Sequence, residues 1–194
     1  MVGAIFTQNV SWENAAIAIS NLKDAGLLTP HGIRNAPTEK IAPLIKPARF
    51  MNLKAKRLKG FVEWYESEFD ADIGRMSRVE MWSLRERLLE VDGIGEETAD
   101  CIILYACNLP VFVIDAYTRR IFGRLGFLHG DPSYRELQLF FMHSLPQEAG
   151  LFKDYHAQLV HLAKDICRKK PLCGRCPLKQ IGKDFRCLFA WSDP

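Results

Sequence analysis

No stretch of the 194-residue chain holds the ~20 consecutive apolar residues of a membrane-spanning helix. Nor does it open on the basic start, short apolar core and small-residue cleavage site of a secretory leader. These absences predict a soluble, intracellular protein. Alternating strand patterns are weak throughout, and neither internal repeats nor low-complexity tracts occur, which argues against β-sandwiches, solenoids and disordered chains. A formal net charge of +3 permits a nucleic-acid partner without arguing for one.

A hydrophobic fraction of 48% is enough for a substantial core in one domain or two small lobes. Six cysteines in a chain without secretory features do not read as a disulfide framework. Cys101 and Cys107 lie on an apolar helical stretch and read as core thiols. Cys167, Cys173, Cys176 and Cys187 crowd together near the C-terminus as C-x5-C-x2-C-x10-C. Four thiolates so spaced suit a tetrahedral zinc ion or an iron–sulfur cluster, and ligand chemistry divides the two evenly. Basic residues cluster at 46–59 and 168–170, an arrangement that a solvated helix face also explains.

The chain is organised around residues 91–115, VDGIGEETADCIILYACNLPVFVID. Gly93 and Gly95 flank Ile94, a spacing that permits a tight turn and close approach of a large partner. Glu96 and Glu97 suit the first turn of a following helix, and Leu84, Leu88, Leu89 and Val91 give the preceding stretch helical periodicity. This is a helix-hairpin-helix, whose peptide N–H groups suit a phosphate oxygen, directly or through a cation. A plain glycine turn between core helices explains the same residues. After the hairpin, the apolar run Val111–Ile114 should be buried, with Asp115 as N-cap of a further helix.

LxxVDGIGEETAD followed by VIDAYTRRIFGRLG resembles the helix-hairpin-helix DNA glycosylases of the endonuclease III superfamily, over nearly the whole chain. The resemblance implies an all-α, two-lobed fold ending in a four-cysteine metal loop, with lobes 1–111 and 112–194. It implies that Asp115 is catalytic and that the hairpin Gly93-Ile94-Gly95 contacts DNA. Family members that cleave the backbone carry a lysine two residues after the last hairpin glycine. Here that position is Glu97, which cannot form an imine, so a glycosylase without lyase activity is implied.

Thr7-Gln8-Asn9 resembles the family segment whose glutamine enters the space left by an extruded nucleotide, making Gln8 the expected gap filler. Trp12, with Glu97, is a candidate wall for the base pocket, although a core tryptophan fits as well. Phe50 matches the family's wedge position, and Lys54, Lys56 and Arg57 in the KAKRL segment could meet phosphates. The apolar opening MVGAIF suggests that the family's first helix is missing from this chain. For the four cysteines the resemblance favours a 4Fe-4S cluster over zinc, although the first gap is one residue shorter and the last five longer than the family's usual spacing.

The function implied is removal of a damaged base from double-stranded DNA. An alkylated purine such as 3-methyladenine comes first, and uracil or mismatched thymine second. The enzyme would be a monomer working in the cytoplasm, at the nucleoid of a bacterium or archaeon. A non-catalytic helix-hairpin-helix module holding zinc is the rival from another class.

Overall fold

A computed structural model of the chain describes residues 1–128, 130–180 and 187. Among them every regular element is helical, and no helix is long and apolar enough to cross a membrane. The chain divides into two compact units, the first Met1–Leu109 and the second starting at Pro110.

The first unit holds eight helices: α1 (Val2–Phe6), α2 (Trp12–Asp24), α3 (Pro30–Asn35), α4 (Thr38–Leu44), α5 (Met51–Phe69), α6 (Ile73–Met76), α7 (Met81–Leu89) and α8 (Glu96–Tyr105). Helix α5 is its spine. Ala55, Leu58, Phe61, Val62, Tyr65 and Phe69 recur at helical spacing and are all buried, each large side chain contributing about 1.5–3 kcal/mol of transfer free energy. Phe61, Trp64, Tyr65 and Phe69 touch ring to ring along one face of α5, which makes that aromatic stripe core packing.

Local capping decides several helix starts. Ser11 caps α2 through its side chain, accepting from the Asn14 N–H. The segment Thr29–Gly32 begins α3: Thr29 Oγ1 accepts from the Gly32 N–H at 2.9 Å and Pro30 takes the first helical position. Helix α7 starts at Met81, one turn ahead of the apolar positions Leu84 and Leu88. The Glu80 carboxylate takes the N–H groups of Trp82 and Ser83, which fixes Glu80 as the cap and leaves Arg78 outside.

The second unit holds α9 (Ala116–Arg124), α10 (Tyr134–Ser144) and α11 (Ala149–Asp165), then short turns at Cys173–Arg175 and Pro177–Gln180. Its core is aromatic. Phe112 stacks on Phe141 at 4.2 Å and meets Phe152 and Tyr155 edge-on. The buried run Val111–Ile114 is tied down by two distant donors and acceptors. Gln138 of α10 donates to the Phe112 carbonyl at 2.9 Å, and the Tyr134 hydroxyl accepts from the Ile114 N–H at 3.2 Å. The chain therefore enters α9 from a fixed direction.

Candidate active site and nucleic-acid interface

The hairpin in the first unit is a tight turn opening a helix. Val91 O accepts from Ile94 N at 3.0 Å, Gly93 takes φ +79°, and extended Gly95 caps α8. Gly93 is required twice over. Its positive φ disfavours any other residue, and a Cβ there would lie 2.2 Å from Arg57 Nε, since the Arg57 side chain crosses the turn. Around Gly95 the space is open, and this residue opens α8 at a helix start, where an anion is favoured. Ile94 is only 5% exposed, so its side chain anchors the hairpin from inside and any contact there falls to the backbone. Behind the turn, Arg85 of α7 donates to the fully buried Asp100 at 2.8 Å and to Glu96 at 3.1 Å, locking the two hairpin helices together.

Gln8 faces this hairpin. Its Nε2 donates to Gly93 O at 2.8 Å and Thr98 Oγ1 at 3.0 Å, while its Oε1 accepts from Arg57 at 3.0 Å. Lys54 corrects the sequence reading. Expected to reach a phosphate, it is 2% exposed and sends its three N–H groups to the carbonyls of Phe6, Gln8 and Ala48 at 2.7, 2.9 and 2.8 Å. Burial, with the charge of Arg57 nearby, lowers its pKa to about 8. Lys54 is thus a strut beneath the Gln8 segment, and only the neighbouring Lys56 is left exposed.

Among the described residues, two aromatic side chains are more than half exposed. Phe50 is 64% exposed and follows Arg49, the two residues taking φ +45° and +57°. Left-handed conformations cost non-glycine residues roughly 1–2 kcal/mol each. Trp12 is 60% exposed, which removes the core reading; its ring lies against Gly3 of α1, where a Cβ would come within 3.0 Å. Glu97 is exposed on the first turn of α8, at a recess of about 160 Å³ that it shares with Ala4, Thr7, Gln8, Asn9, Thr98 and Cys101. Cys101 is only half-buried there, whereas Cys107 is a core thiol.

In the second unit Asp115 is 9% exposed and caps α9. Its Oδ1 accepts from the Thr118 N–H at 2.7 Å and from the Thr118 hydroxyl at 2.8 Å. Its Oδ2 lies 3.6 Å from Nε2 of His156 on α11. Burial alone pushes this carboxyl up, but the His156 imidazole and the two Thr118 donors outweigh burial and hold it below the ordinary carboxylate value. The result is an ionised carboxylate in a nearly dry setting, with one oxygen occupied by the helix cap. Sequence reasoning did not find His156, which comes from a separate helix and carries no local motif.

The cysteine loop is organised from α9. Arg124 donates to the sulfur of Cys167 at 3.2 Å and to the carbonyls of Arg168 and Lys169 at 2.6 and 3.1 Å; Arg120 donates to the Cys167 carbonyl at 2.9 Å. Cys173 and Cys176 share one turn, Cys176 N donating to Cys173 O at 3.1 Å. The four cysteines form no disulfide and are each partly exposed, a donor set of the right kind for a cluster. Among the described residues no three metal-binding side chains are grouped as a site, and 181–186 of the long last gap lie outside those residues.

The family model for the HhH-GPD superfamily of base excision DNA repair proteins matches residues 2–147. A Methanocaldococcus jannaschii protein described as a candidate DNA repair glycosylase is 43% identical over 183 residues, covering 93% of this chain and 83% of its own. Endonuclease III of Sulfolobus acidocaldarius is 30% identical over 186 residues, covering 95% of this chain and 81% of its own. Among solved structures, the Helicobacter pylori 3-methyladenine DNA glycosylase MagIII bound to 1,N6-ethenoadenine superposes with a TM-score of 0.75 at 30% identity, covering 84% of this chain and 82% of that one.

Proposed function

Because the chain belongs to the HhH-GPD superfamily of base excision DNA repair proteins, we propose that it is a monofunctional DNA glycosylase that hydrolyses the N-glycosidic bond of an alkylated purine. The observation that carries this reading is Asp115, a carboxylate kept ionised inside the protein by Thr118 and His156. As the base leaves, the sugar takes on oxocarbenium character. A fixed negative charge in a low-dielectric setting stabilises that charge, and the same carboxylate can position or deprotonate the attacking water.

Substrate and reaction type rest on Glu97 and Trp12. Glu97 stands where a Schiff-base lysine would be needed for strand cleavage. A carboxylate and an exposed indole face both favour a cationic base, and N-alkylated purines are cationic and already good leaving groups. They need little protonation of the base, so Asp115 suffices. The hairpin amides would hold the phosphate backbone and Phe50 would wedge into the stack while the nucleotide is extruded. Cys167, Cys173, Cys176 and Cys187 would hold a 4Fe-4S cluster whose part is structural. It would tie down the loop that carries the exposed Arg168, Lys169, Lys170 and Arg175 beside the DNA. The protein would act as a monomer on double-stranded DNA.

The test is base release from duplexes carrying 3-methyladenine, uracil, a thymine mismatch or an oxidised pyrimidine. Release of the methylated purine is expected, with the strand intact until alkali is added, and Asp115→Asn should abolish it. Full activity in Asp115→Asn overturns the catalytic assignment, and a borohydride-trapped adduct overturns the monofunctional one. Preferential release of uracil or thymine would move the substrate to the mismatch class. Iron analysis and a brown colour distinguish the cluster from zinc.

A further inference from the structure

We propose that His156 is the positioning residue for the Asp115 carboxylate, reaching it from a different helix and fixing the oxygen that the helix cap leaves over. The inference rests on the catalytic reading of Asp115 above and adds a residue to it.

The geometry divides the two carboxylate oxygens. Oδ1 is turned into the N-terminus of α9 and accepts twice from Thr118, at 2.7 and 2.8 Å. An aspartate whose only task is to cap needs nothing more. Oδ2 is the oxygen that can meet a sugar or a water, and His156 Nε2 stands 3.6 Å from it. The imidazole is held mid-way along α11, among the side chains that pack this helix against α9, and its side chain is only 13% exposed. A ring so enclosed cannot swing away, so the Oδ2 direction is set by two helices instead of one.

Neighbouring polar groups on α9 and α10 bond elsewhere. Arg119 donates to the Pro132 carbonyl and Arg120 to the carbonyls of Cys167 and Ala163. The Tyr134 hydroxyl of α10 serves the Ile114 N–H. His156 is the titratable side chain that lies against the carboxylate. At 3.6 Å the imidazole is too far for a hydrogen bond and acts as a close ion-pair partner, which favours the ionised carboxylate and the side-chain orientation that keeps Oδ2 beside it, two conditions for a charge that must meet a developing cation in one place.

The experiment measures single-turnover base release across pH for Asp115→Asn, His156→Ala and His156→Gln, with affinity for a duplex bearing an uncleavable abasic analogue measured in parallel. Glutamine can place an amide N–H near the Nε2 position. His156→Ala should lower the rate on the order of 10- to 100-fold, as misplacement of a reacting group does. Affinity should stay within about threefold, and the acid limb of the profile should move to higher pH because the ionised carboxylate has lost its neighbouring imidazole. His156→Gln should recover most of the rate. If Asp115→Asn is inactive while His156→Ala keeps the wild-type rate and acid limb, this inference is wrong and the catalytic reading stands. If Asp115→Asn is itself fully active, the failure lies in the catalytic reading. Equal loss of rate, affinity and melting temperature in Ala and Gln variants would show that His156 merely packs α11 onto α9.

Discussion

Lys54 and Asp115 are both charged, both almost sealed from water, and lie in different units of the chain. Lys54 spends each of its three N–H groups on a carbonyl, at 2.7 to 2.9 Å. Asp115 spends one oxygen on the cap of α9 and keeps the other at a looser 3.6 Å from His156. A buried charge whose bonding capacity is filled holds the fold. One with capacity in hand is available for chemistry. Burial alone does not separate these roles; counting the partners does.

That contrast breaks most visibly at Asp115. Asparagine keeps the capping oxygen but not the charge, so Asp115→Asn should lose about 10²- to 10⁴-fold in base-release rate. Its melting temperature should change little. The reverse holds for Lys54→Met, which strands three buried carbonyls at the junction of the Phe6–Gln8 segment and the turn before α5. A loss of roughly 3–5 kcal/mol in denaturant-measured stability is expected, with the rate per folded molecule nearly intact. A Lys54→Met protein that is stable but inactive would merge the two classes. Phe50 belongs to a third class, exposed and strained. Phe50→Ala should leave stability unchanged or slightly raised and slow extrusion about tenfold, read by fluorescence of a base analogue at the lesion.

The same contrast explains which parts of the molecule were legible in the sequence. The hairpin was, because Gly93 needs positive φ for reasons contained in the residues beside it, and so was Asp115 as a cap, which is a matter of the next three residues. Helices α7 and α8 on either side of the hairpin followed from apolar periodicity and the first-turn acids Glu96 and Glu97. The start of α3 is local in the same way: Thr29 before Pro30 is a cap followed by a first-turn proline. Lys54 was misread because KAKRLK is basic by composition, and nothing local says that carbonyls from residues 6 and 8 converge on one of its ammonium groups. His156 lies 41 positions beyond Asp115 and pairs with it only through the packing of α11 on α9. Arg124 likewise meets Cys167 across two helices. Long-range partners of polar groups are what single-sequence reasoning cannot supply.

The smallest effect is expected at Thr118, and it sharpens the comparison most finely. Thr118 is fully buried and gives Asp115 Oδ1 both its N–H and its hydroxyl. Thr118→Val keeps the shape and the backbone donor and removes only the hydroxyl. At neutral pH the carboxylate should remain ionised, so the rate should stay within a few-fold of wild type. The sign of the pH effect follows from the depressed carboxyl pKa. A carboxyl lowered in the folded state stabilises the protein above its unfolded value and loses that contribution as pH falls through the folded value. Removing a donor moves the folded value up towards the unfolded one. The acid limb of the base-release profile and the onset of acid unfolding should therefore both shift to higher pH in Thr118→Val. If only acid unfolding shifts, the carboxylate is a cap and nothing more. If both shift together, the group that stabilises α9 is the same group that does the chemistry.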